Sequence, residues 1–138
     1  MVSFDYLINN RFDLIWDSLF TEEKVKRIIN MKTIWESPIK VQKYTKYGET
    51  SYILGYADLK LAYTYYDAKK DIDYYDCIFF EIKPQIPSCG DLIRQIRKYQ
   101  TVTSNAPWFV VSPDTKFKDI ILQQDIGLIN TDEYIRYL

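Results

Sequence analysis

The chain has 138 residues, 47% of them hydrophobic and 27% charged, with a formal net charge of −1. That length fits one domain with a core of its own, and that charge excludes a protein that coats nucleic acid through a broad basic excess. There is no histidine, so histidine triads, imidazole-bound zinc and histidine acid–base chemistry are excluded, and any catalysis rests on carboxylates, lysine, tyrosine or a metal.

Cys77 and Cys89 have no metal-binding spacing and read as free thiols of a reducing compartment. The first residues, Met1 to Tyr6, carry no basic stretch followed by an apolar run, and no segment has the length of a membrane span. The expectation is a soluble, cytoplasmic protein (in the host's cytoplasm if viral) with no membrane partner. Lysines and arginines cluster at Lys24, Lys26 and Arg27, at Lys40, Lys43 and Lys46, and at Arg94, Arg97 and Lys98. Each cluster taken alone reads equally as a solvated face.

In chain order, Phe12, Ile15, Trp16, Leu19 and Phe20 recur at helical spacing, and Val25, Ile28 and Ile29 continue the pattern. The spacing predicts helix from about Arg11 to Met31, with Thr21 as an N-cap or kink. A first strand follows Pro38 and ends at Gly48. Tyr52 to Tyr66 is rich in β-formers and predicts a long strand, with Asp58, Lys60, Ala62 and Thr64 on one face and Leu59, Leu61, Tyr63 and Tyr65 on the other. Asp67 to Asp71 is a turn, and Tyr75 to Lys83 predicts a central strand that pairs back antiparallel and stops at Pro84 and Pro87.

Ser88 and Asp91 resemble a capping box, and Leu92, Ile93, Ile96 and Tyr99 give the next helix its apolar stripe. Trp108 to Val111 predicts a short buried strand, Phe117 to Gln124 a helix, and Gly127 to Ile129 a last strand. The order α, β, β, β, α, β, α, β predicts an α/β domain spanning residues 1–138, a mixed sheet with helices on its faces.

Within the central strand, Glu81 and Lys83 lie two apart and so point to one face of an otherwise apolar run. Charges left in such a strand are costly unless they are paired or hold a metal. The plain alternative is a cross-strand ion pair on a solvated sheet face.

Asp58 in one strand, Glu81-Ile82-Lys83 in the next and Gln95-x-x-x-Tyr99 on the following helix together resemble the PD-(D/E)XK nuclease superfamily, in its RecB-like branch. Ala57 stands where the name-giving proline would be. The resemblance covers roughly residues 36 to 112. It implies a restriction-endonuclease-like αβββαβ core and hydrolysis of DNA phosphodiester bonds by a metal-activated water. It also implies catalytic roles for Asp58, Glu81, Lys83, Gln95 and Tyr99. Asp58, Glu81 and the Ile82 carbonyl would be oxygen ligands for Mg²⁺, with Mn²⁺ able to substitute. Many members add a further acid, for which Glu36 is preferred here, with Glu22, Glu23 and Asp17 competing. Arg94, Arg97 and Lys98, on the same helix as Gln95, become candidate phosphate contacts. The alternative is a catalytically inactive module of the same fold that binds nucleic acid or a protein partner. DNA against RNA, internal cutting against end cutting, and a homodimer all stay open at the level of sequence.

Overall fold

Alternating β-branched and aromatic residues build one mixed sheet. The computed structural model describes residues 2–103 and 105–136. Its elements are α1 (Val2–Asn10), α2 (Asp13–Leu19), α3 (Glu22–Arg27), β1 (Ile28–Thr45), β2 (Gly48–Asp67), β3 (Ile72–Ile82), α4 (Cys89–Gln100), β4 (Trp108–Ser112), α5 (Lys118–Gln123), β5 (Gly127–Asn130) and α6 (Asp132–Ile135). The five strands lie in the order β1-β2-β3-β4-β5. The first three form an antiparallel meander, and β4 and β5 run parallel to β3 and to each other. The fold is thus α/β, with β3 central as expected.

Helices cover both faces. Phe4, Leu7, Ile8, Phe12 and Ile15 of the N-terminal segment pack on Leu59, Leu61, Tyr63, Ile78 and Phe80. On the other face Leu92, Ile96 and Tyr99 of α4 and Ile121 of α5 pack on Ala57, Phe79, Trp108 and Val110. Burial of a large apolar side chain is worth about 1.5–3 kcal/mol and an N-cap about 1 kcal/mol, so packing rather than capping fixes α4 on the sheet. The cap is nevertheless present: Ser88 Oγ accepts the Asp91 N–H at 3.3 Å.

Several expected boundaries are corrected. Two helices rather than one fill the region from Arg11, and Thr21 is the expected N-cap of the second, its Oγ1 accepting the Lys24 N–H; the correction is at the end, since α3 stops at Arg27 and not at Met31. Ile28, Ile29 and Met31 belong to β1, because pairing of Ile28 with Tyr65, Asn30 with Thr64 and Met31 with Tyr63 of β2 outweighs the weak helix preference of the β-branched residues. The first strand therefore begins ten residues before Pro38, not after it. Pro38 sits within β1, an edge strand, where its missing N–H is tolerated. The helices α1 and α6 were not anticipated. Cys77, on the central strand β3, is partly exposed; both cysteines are free thiols, and burial pushes each thiol's pKa up.

Candidate active site

The site lies where the β2–β3 ladder ends. The last pairs are Lys60–Phe79 and Leu59–Phe80, which sets Asp58 beside Glu81 without a ladder pair. On its other side, the β1–β2 ladder passes from Trp35–Leu59 to Ser37–Ala57, so Glu36 stands opposite Asp58, again unpaired. Ala57 and Leu59 have their side chains in opposite cores although they are two residues apart. Strand alternation is interrupted at Asp58, although the β1–β2 register is the same on either side of it.

Asp58 uses this freedom to reach β3: its Oδ2 accepts the Ile82 N–H at 2.7 Å. The N–H and C=O of one strand residue face the same neighbour, and the next residue's groups face the other. The Lys83 N–H donates to Val111 of β4, so both main-chain groups of Ile82 face β2 and Asp58. The Ile82 carbonyl thus lies on the side of the carboxylates.

Glu81 is 1% exposed, and its Oε1 has no hydrogen-bond partner among the described residues. Lys83 Nζ stands 3.6 Å from Glu81 Oε2 and 4.0 Å from Asp58 Oδ2. Burial pushes the Glu81 carboxyl up to about 8, and the Asp58 charge pushes in the same direction. Lys83 opposes both and is outweighed, so the ion-pair distance alone does not keep Glu81 ionised at neutral pH.

The third piece comes from α4. Gln95 and Tyr99 share a face, and Gln95 Nε2 donates to the Tyr99 hydroxyl at 3.3 Å. Gln95 and Lys83 line one groove of about 370 Å³ with Ile86, Pro87 and Leu92. Tyr99 is buried and stacks on Trp108 at 5.6 Å. Its hydroxyl rests on the Gly55 backbone, where an added Cβ would lie 2.2 Å from the oxygen. Tyr99 does not line that groove and meets it through its hydrogen bond with Gln95.

Of the other expected site residues, Glu36 stands across from Asp58 and the rest are dispersed. Glu36 is exposed and holds φ at 48°, a left-handed backbone that costs a non-glycine residue about 1–3 kcal/mol and tends to occur at functional sites. Asp17 and Glu23 lie on α2 and α3, which pack on the opposite face of the sheet, and Glu23 pairs with Arg27. The Glu22 side chain lies outside the described residues. No third acid joins Asp58 and Glu81 closely enough to form a metal-binding cluster among the described residues. Arg94 pairs with Asp91, and Arg97 donates to Gln100 and to the side chain and carbonyl of Gln124 at the end of α5. Lys98 is exposed.

Two contributors escaped sequence reasoning. Gly55 makes room for the Tyr99 hydroxyl, a non-local fit that only the fold reveals. Asp114 accepts the Ile86 N–H at 3.0 Å and so ties the loop after β3 to the loop after β4. Hydrogen bonds from Ile86 and Lys116 hold the Asp114 carboxyl below its usual range.

No family model matches the chain, and no curated protein or solved structure does so either. No helix among the described residues is long and apolar enough to cross a membrane.

Proposed function

We propose that the chain is a metal-dependent nuclease that hydrolyses DNA phosphodiester bonds, built on a restriction-endonuclease-like core. The observation that carries this reading is Glu81, buried beside a second carboxylate with one oxygen unpartnered among the described residues. Leaving a buried acceptor unsatisfied costs about 1–3 kcal/mol, and such costs concentrate at functional sites. Two carboxylates and a carbonyl are hard oxygen donors and fit Mg²⁺ or Mn²⁺.

Asp58, Glu81 and the Ile82 carbonyl would hold the ion, with Glu36, across from Asp58 on β1, as a candidate source of a further oxygen. Bound there, the ion supplies a water of lowered pKa and stabilises charge developing on the phosphate. Lys83 presents its ammonium beside both carboxylates, where it holds a phosphate oxygen or orients the attacking water. Gln95, fixed by Tyr99, lines the same groove and offers its amide to the substrate backbone. The Glu81 proton must leave before its carboxylate can serve as a ligand, so function on this reading strengthens as pH rises toward and past about 8.

One observation favours a second reading, an inactive module of the same fold. Only two acids converge among the described residues, and Lys83 already provides a cation to both. Calorimetric titration with Mn²⁺ separates the two. The nuclease reading requires binding to the parent that is lost in Glu81→Gln and weakened in Asp58→Asn. A parent that takes up no Mn²⁺ above the Glu81 pKa favours the inactive module.

A further inference from the structure

The β1–β2 hairpin outruns the rest of the sheet. The β2–β3 ladder covers only Leu59 to Asp67 of β2, whereas β1 and β2 stay paired out to Thr45 and Gly48. Residues 40–53 consequently pair only with one another, and all of them except Val41 are exposed. Six residue pairs at about 3.4 Å each, plus the turn, make a ribbon roughly 20 Å long. Gly48, at φ 122°, closes the turn in a conformation open to glycine. Two bare strands are marginal in water, so a free ribbon of this length needs a reason.

Its composition supplies one. Three lysines, Lys40, Lys43 and Lys46, face a single acid, Glu49, in a chain whose net charge is −1. Tyr44, Tyr47 and Tyr52 are 75%, 88% and 52% exposed. By register Lys40 lies on one face of the ribbon, Lys43 on the other and Lys46 in the turn. A surface made for a protein partner would gather its apolar residues on one face. Here each face carries a lysine and a tyrosine. This arrangement suits a cleft with phosphates on both walls, and a duplex major groove, about 12 Å wide, admits a two-stranded ribbon. On α4, by contrast, Arg94 and Arg97 are already engaged with Asp91 and Gln124.

We infer that residues 40–53 form a DNA-binding arm that enters the groove of a duplex, with lysines on the phosphates and tyrosines on sugars and bases. The arm leaves the sheet at the β1–β2 irregularity beside Ile39 and Gly55, three residues from Asp58, so a duplex it grips runs past the candidate site. The choice of DNA rests on the nuclease reading; the existence of the arm does not.

The test is binding of a labelled DNA duplex in EDTA, with salt as the variable, for the full chain and for a variant with Lys40→Ala, Lys43→Ala and Lys46→Ala. Three phosphate contacts change the slope of log affinity against log salt by about 2.7, so between about 50 and 200 mM salt the parent should lose about 40-fold more affinity than the variant. A second variant with all three lysines changed to arginine should retain the parent's slope, which guards against a folding defect. An unchanged slope in the alanine variant, or a parent that binds no duplex, overturns the arm. Cleavage is scored separately with Mn²⁺. Arm-dependent binding without cleavage sinks the nuclease and spares the arm, whereas cleavage indifferent to the lysines does the reverse.

Discussion

Glu81→Gln removes an ionisable group while nearly keeping its shape, and the consequence can be worked from the structure. In the folded protein the carboxyl holds its proton up to about 8, against an ordinary value of 4.5. Between those values the folded state binds more protons than the unfolded state, so stability falls as pH rises and levels off above the folded pKa. At about 1.36 kcal/mol per pH unit, the displacement amounts to roughly 5 kcal/mol at full extent. The glutamine variant lacks this loss. Titrating groups remote from Glu81 are shared and cancel in the difference between the two proteins, which leaves Glu81 and its coupling to Asp58 and Lys83. Urea unfolding in EDTA from about pH 5 to about pH 9 should show the variant gaining on the parent by several kcal/mol. Any cost of the amide itself shifts the whole difference by a constant. A difference that does not change with pH would mean that Glu81 is ionised throughout, and would refute the reasoning.

Uptake of Mn²⁺ near pH 7 should release close to one proton, because the ion displaces the one on Glu81; calorimetry in buffers of different ionisation enthalpy reads this, and equal heats would contradict it. Gly55→Ala should drive the Tyr99 ring from its seat, cost about 1–3 kcal/mol by overpacking, and lower cleavage through Gln95; a stability and rate equal to the parent's would remove the positioning role of Tyr99. Arg97→Ala should cost about 1 kcal/mol by freeing the end of α5 while leaving duplex affinity within about twofold; a large affinity loss would return Arg97 to the phosphate-binding set.

Local signals carried far in this chain. Ser88 as a cap, the stripe Leu92, Ile96 and Tyr99, and the alternation through Glu81 placed β3 and α4 correctly because each depends on neighbours in sequence. The turn at Asp67 to Asp71 was legible for the same reason. Ile28 and Ile29 were not, since they extend the helical spacing of Val25 and only the pairing of Ile28 and Asn30 with β2 makes this stretch strand. The missed α1 had its signal in Phe4, Leu7 and Ile8, spaced as one helical face. Within the site, Asp58, Glu81 and Lys83 could be named from residue type and order. What could not be read was that Asp58 leaves both ladders to bond Ile82, that Glu81 loses water almost completely, and that Tyr99 sits on Gly55. Each of those depends on long-range packing. The long hairpin was hidden in the same way: Lys40, Lys43 and Lys46 looked like an ordinary solvated cluster until the ladder showed them on an arm without a third strand.

The most direct measurement is cleavage of labelled linear and circular DNA, single- and double-stranded, with Mg²⁺, Mn²⁺ or EDTA, beside a folded Glu81→Ala variant. The account predicts metal-dependent cutting by the parent, absent in EDTA and absent in the variant. Cutting that survives in EDTA or in the Glu81→Ala variant, or no cutting of any substrate with either metal, would contradict it.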